Sequence, residues 1–126
     1  MDIHVLHPAG STGNSRASIK GVHGAQRAAV LFDITAVGGT PTISWRMEGL
    51  PPGGDATVTA EWQPVGMLTA SGVTAVSEAL VVATTVSRAW RYLDFAADLR
   101  FYDALCIITS ANTNVTYNSK LFLLGV

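Results

Sequence analysis

From Thr42 to Glu48 the chain alternates without a break: Ile43, Trp45 and Met47 take every second position, with Thr42, Ser44, Arg46 and Glu48 between them. Side chains of a strand project to opposite faces with a period of two, so this segment has one apolar and one polar face. That is the pattern of an antiparallel sheet with water on one side. The run before it, Val30 to Val37, has the same character, and Gly38-Gly39 supplies a turn between the two. The chain is therefore read as a β protein.

Further strand-like segments recur with turn signals between them: Ala56 to Pro64, Thr74 to Val86, Leu105 to Ser110 and Val115 to Leu124, in addition to Ala29 to Val37 and Pro41 to Glu48. Within Ala56 to Trp62 the alternation places Val58, Ala60 and Trp62 inward, with Thr57, Thr59 and Glu61 outward. Spacing of this kind is expected of two packed sheets or a barrel. The fold class is all-β: an antiparallel β-sandwich or a jelly-roll-like barrel. Two segments allow a second reading. Ser77 to Thr84 has room for two helical turns, but its β-branched residues favour a strand. In Ser87 to Tyr102, Trp90, Leu93, Ala97 and Phe101 stand near helical spacing, which leaves open one short helix around Asp94 to Leu99.

Residues 8 to 27, PAGSTGNSRASIKGVHGAQR, are rich in Gly, Ser and Ala without sustained periodicity and read as an extended N-terminal arm or long loop. Before them, Asp2 to His7 has the pattern of a short edge strand with Ile3 and Val5 on one side, and Pro8 ends a regular ladder. The expected organisation is an arm over residues 1 to 27 and a sandwich domain over residues 28 to 126. A length of 126 residues suits one core.

The composition narrows the partners. Charged residues make up 13% of the chain, about half the usual share, while 48% is hydrophobic. Either partners cover much of the surface, or Thr, Ser and Asn line the outer strand faces in place of charges. With a formal net charge of -1 and its eight Lys and Arg scattered singly, the chain offers no basic stripe for a phosphate backbone, so no direct nucleic-acid partner is expected. Its N-terminus lacks the pattern of a secretory leader, and no segment approaches the about 18 apolar residues of a membrane span, so no membrane partner is expected either. Cys106 is a lone cysteine inside an apolar run, where a buried inert thiol is the natural reading.

No residue pattern points to catalysis. His4, His7 and His23 lie in the N-terminal portion, but residues three apart on a strand face opposite ways and no acid or thiol cluster completes a zinc site. Ser44, His23 and Asp33 lack any nucleophile-elbow signature, and the carboxylates Asp33, Glu48, Glu61 and Glu78 sit at outward or turn positions. Gly38-Gly39 and Gly53-Gly54 lack the Lys-Ser/Thr or helix start of phosphate loops. Neither an enzyme nor a cofactor or metal site is expected. Among the aromatics, Trp45 and Trp62 fall in the apolar phase of their strands, whereas Trp90, close to Arg88 and Arg91, suits a subunit contact. The same aromatic set, with Tyr92 and Tyr102, also supplies the stacking platform that a carbohydrate-binding sandwich needs.

The string AAVLFDITAVGGTPTISWRMEGL, the later AEWQPVG, RYLDF and LRFY, and the closing YNSKLFLLGV resemble small β-sandwich structural proteins of tailed bacteriophages. Asp33, Thr35, Ala36, Val37, Gly39, Thr40, Pro41 and Thr42 carry the likeness, which spans roughly residues 28 to 125. The loop at Gly49 to Asp55 and the segment Leu93 to Tyr102 depart from it. The resemblance implies a virion structural protein, made in the host cytoplasm, that decorates or cements the capsid by binding the major capsid protein, or else a tail, neck or baseplate component. It also implies a homo-oligomer, a trimer or ring. On this view the arm reaches across a subunit boundary, and His4, His7, Arg16, Lys20, His23, Arg27 and Trp90 are the candidate interface residues.

Overall fold

A computed structural model describes residues 2–20, 22, 27–69, 77–78, 80–93 and 102–124. Among these residues eleven strands form two open antiparallel sheets, so the architecture is a sandwich and not a closed barrel. The strands are β1 (Asp2–Thr12), β2 (Ser15–Lys20), β3 (Arg27–Val37), β4 (Ile43–Leu50), β5 (Gln63–Val65), β6 (Met67–Leu68), β7 (Ser77–Glu78), β8 (Val81–Ala83), β9 (Ser87–Leu93), β10 (Ala104–Ser110) and β11 (Val115–Leu124). The six-stranded sheet runs β1-β11-β3-β9-β6-β7; the five-stranded sheet runs β2-β10-β4-β5, with β8 also beside β4.

The strongest sequence signal forms strands where expected, but its connection differs. β3 and β4 do not pair with each other; the turn at Gly38-Gly39 carries the chain from one sheet across to the other. β10 and β11 behave the same way, so the closing pair is not a hairpin either. Two amphipathic strands bury their apolar sides equally well edge to edge or face to face, and periodicity does not distinguish these arrangements. Gly39 sits at φ 74°, a backbone conformation that a β-carbon would strain.

Between the sheets the core is built around aromatic rings. Phe32 stacks on Trp45 with centroids 4.9 Å apart and on Tyr117 at 5.3 Å, and His7 meets Tyr117 edge-on at 5.2 Å. Around them pack Val30, Ile34, Ile43, Met47, Leu105 and Ile107, all fully buried. The Tyr117 hydroxyl donates to the Gly13 carbonyl at 2.8 Å, which ties the turn between β1 and β2 to β11.

Two expectations are corrected, at residues 8 to 20 and at residues 56 to 62. Residues 8 to 20 do not form an arm or loop outside the sheets: β1 continues to Thr12 and pairs with β11, and β2 pairs with β10. Pro8, Ala9 and Gly10 are accommodated because they form a bulge on an edge strand, between the pairs His7↔Ser119 and Ser11↔Tyr117, where no ladder donor is needed and Gly10 takes φ 90°. Residues 56 to 62 are not a strand. Thr57 donates to Asp55 Oδ1 through both its N–H (2.9 Å) and its hydroxyl (2.7 Å), and a 3-10 turn follows at Thr59–Glu61. Asp-Thr turn chemistry competes successfully with a short alternation whose inward members are small. Val58 is 42% exposed, and only Trp62 of the inward set is buried. Ser87–Leu93, ahead of the segment where the sequence leaves a helix open, is a strand, with Trp90 outward and Leu93 inward. The helix around Asp94 to Leu99 falls outside the described residues. Within Thr74 to Val86 the described strands are β7 and β8, which lie in different sheets.

Candidate interaction face

The sandwich has two outer faces, and they differ. On the five-stranded sheet, Leu50, Ala104 and Cys106 point outward yet are buried, because residues 51 to 62 fold back across them and seat Trp62 on top, with Ile108 packed alongside. The Trp62 indole N–H donates to the Ala56 carbonyl at 3.1 Å, and the Arg16 guanidinium lies 5.0 Å from the centre of its ring. Arg16 also pairs with Glu48 at 3.1 Å, and Arg46 reaches the same carboxylate at 3.5 Å. Burial pushes the Cys106 thiol up to about 11, against a weaker opposing pull from Arg16, so it is protonated and unreactive at neutral pH. Beside the loop runs an open groove of about 530 Å³, lined by Lys20, Thr57, Asp55 and Asp103 among others.

The outer face of the six-stranded sheet has no such cover in the described structure. The register sets Val5, Lys120, Leu31 and Trp90 in one row across β1, β11, β3 and β9, and Ile3, Phe122, Ala29 and Tyr92 in the next. Ile3 is 53% exposed, Val5 58% and Trp90 42%. The small Ala29 lies between β9 and β11 at this level, and across it the Trp90 and Phe122 rings meet with centroids 5.2 Å apart. One row further on, Asp33 accepts from Arg88 at 3.1 Å. An apolar surface contiguous over four strands, with a cation in its middle, is the geometry of a protein-binding face.

No family model matches this chain, and no curated protein matches it in sequence. Among solved structures, the SPBc2 prophage-derived protein YomS is similar to it, with a TM-score of 0.57 and 11% identity over 97% of this chain and 91% of that one. The fold is shared with a prophage-derived protein. The top component of cowpea mosaic virus (TM-score 0.24, 8% identity, 92% of this chain and 87% of that chain) and infectious bursal disease virus Gt strain (TM-score 0.25, 9% identity, 98% and 39%) overlap too weakly to bear on the fold. The YomS likeness spans both sheets, since it covers β1 to β11 nearly end to end.

The candidate interface residues are distributed over the whole molecule. Trp90 lies on the bare face, and Arg27 opens β3 in phase with Ala29 and Leu31. Arg16 and Lys20 project from the opposite face, the first engaged with Trp62 and Glu48 and the second beside the groove. His4 is half-buried opposite Leu121. His7 is not a surface residue at all: it is 3% exposed, with Nδ1 2.7 Å from Ser119 Oγ and Nε2 2.9 Å from Ser15 Oγ, and burial holds it below its ordinary pKa. It pins β1 to both sheets, which removes it from any contact role. His23 lies outside the described residues. Sequence reasoning missed Leu31, Lys120 and Phe122. The signal was present, because Leu31 and Phe122 are apolar residues in the outward phase of strands whose inward phase is already apolar.

Trp45 and Trp62 are both buried, at 1% and 6% exposure, so a sugar-stacking platform is left with Trp90 and the half-buried Tyr92 on this face. Ser44 and Asp33 stand on opposite outer faces of the sandwich and do not meet. Among the described residues no group of three or more His, Cys, Asp or Glu is placed to hold a metal.

Proposed function

We propose that this chain is a structural protein of a bacteriophage particle that acts by binding and carries no catalytic step, and that within the particle it decorates the capsid. One observation carries the reading: the rows in which Ile3, Val5 and Trp90 are exposed and Leu31 and Phe122 half-buried, an apolar face on a domain that covers the Leu50, Ala104 and Cys106 patch of its other outer face with its own loop. Water-exposed apolar surface of this extent favours burial against a neighbour. A low charge content fits a protein whose surface is shared with others in a lattice. The sequence resemblance to tailed-phage sandwich proteins and the fold likeness to a prophage-derived protein support a place in the virion.

Cosedimentation of the purified protein with undecorated phage capsids tests this directly. Saturable binding in lattice stoichiometry is the expected result. Absence of binding together with a closed ring in solution would move the protein to the tail, neck or baseplate. A monomer that ignores capsids and binds host glycans through Trp90 would overturn the structural role.

A further inference from the structure

We propose that the occupant of the bare face is a second copy of this chain, which inserts the compact turn at residues 55 to 61 from its opposite side, so that copies join front to back. This rests on the binding role proposed above and names the partner of that face.

The two surfaces are complementary in charge. On the receiving side, Lys120 stands between Val5 and Leu31, and among the described residues no carboxylate pairs with it. An ammonium flanked across the strands by Val5 and Leu31 suits a carboxylate presented together with an apolar group. The turn supplies both. Val58, 42% exposed, lies between the exposed carboxylates of Asp55 and Glu61. The turn is also held in shape by its own bonds: Asp55 N–H donates to Glu61 Oε2 at 2.7 Å, Val58 N–H to the Asp55 carbonyl at 3.0 Å and Glu61 N–H to the Val58 carbonyl at 3.1 Å. Each carboxylate thus spends one oxygen internally, Asp55 Oδ1 on Thr57 and Glu61 Oε2 on Asp55, and keeps the other for a donor from outside. A knob already ordered before contact loses little entropy on docking.

Symmetry separates this arrangement from a simple dimer. The knob and the bare face lie on opposite outer surfaces of one sandwich, so their contact is heterologous and repeats from copy to copy. It closes into a ring if the rotation allows and extends as a filament if not.

Sedimentation equilibrium of the full chain, without capsids, from micromolar to millimolar concentration tests the contact. The expected result is a mass that rises with concentration and falls back with added salt. Lys120→Glu should weaken association tenfold or more, and Glu61→Gln, which retains an oxygen for the Asp55 N–H while removing the charge, about threefold. The double variant Lys120→Glu with Glu61→Lys should recover part of the loss, because the introduced lysine restores the charge pair but cannot accept from the Asp55 N–H, with circular dichroism confirming that each variant is folded. A wild type that remains monomeric throughout, or association indifferent to both Lys120→Glu and Trp90→Lys, would overturn the proposal. If that monomer nevertheless cosediments with capsids and Trp90→Lys does not, the face belongs to a capsid partner: the structural role stands and the self-contact fails. If the protein associates as described yet ignores capsids, the self-contact stands and the capsid assignment fails.

Discussion

The two outer faces of this sandwich are built from the same kind of strand and finished differently. On the five-stranded sheet the apolar positions Leu50, Ala104 and Cys106 are sealed by a loop that the chain itself provides, with Trp62 as the lid and Arg16 laid over the lid. On the six-stranded sheet Val5, Leu31, Trp90 and Phe122 form an equally apolar surface with no lid among the described residues. The covered face shows what this chain does with an outward apolar surface when stability is at stake. The bare face departs from that solution, and the departure is what the proposed contact rests on.

Substitutions that invert the two cases sharpen the contrast. The largest effect is expected at the lid: Trp62→Ala should lower unfolding free energy by about 3–5 kcal/mol, as removal of a buried indole does. Urea denaturation measures the loss, and Cys106, inert in the wild type, should become reactive to thiol reagents. Trp90→Lys on the bare face should change stability by less than about 1 kcal/mol while abolishing the contact proposed for that face, because its ring is already half in water. A loss comparable to that of Trp62→Ala would show that Trp90 is structural and would erase the distinction between the faces.

A smaller, pH-dependent effect is expected at the seam where both sheets meet. His7 is buried, and its folded-state pKa lies below the unfolded value of about 6.5. The unfolded chain therefore binds a proton more readily, so stability is fully present above that value and declines as the pH falls through it toward the folded pKa. Denaturation midpoints recorded from neutral to mildly acidic pH should show this slope, and His7→Phe should flatten it; an unchanged slope would assign the acid sensitivity to another group. The smallest effect belongs to the surface: Arg16→Ala, which removes an exposed ion pair and one ring contact, should cost about 1 kcal/mol or less.

The strands that could be read from sequence are those in which one phase is large and apolar and the other polar. Ile43-Trp45-Met47, alternating with Ser44, Arg46 and Glu48, is of this kind, and its apolar phase is inward at every position. β2 was hidden because its inward residues, Ser15, Ala17 and Ile19, include only one large apolar side chain. The turn at residues 55 to 61 was misread because alternation of Val58, Ala60 and Trp62 carries less weight than three hydrogen bonds to Asp55. Which sheet each strand joins was invisible, since crossing between sheets and pairing within one leave the same periodicity. The bare face was half legible: Ile3 and Val5 were placed together on one side of an edge strand and Trp90 was set at a contact, but nothing in the sequence brings β1 next to β11 and β11 next to β3. That adjacency is a property of the topology.

The pairing of β1 with β11 also fixes when the molecule can become adhesive. A ribosome delivers the eleven strands in order, and the bare face draws on β1, β3, β9 and β11, so its apolar rows come into register only after the last of them has emerged. Until then β1 and β3 lack the strand that lies between them, and a chain that stops short of β11 presents no continuous surface to a neighbour. Long-range pairing of this kind slows folding, and here it also defers the continuous apolar face until β11 has paired with both β1 and β3.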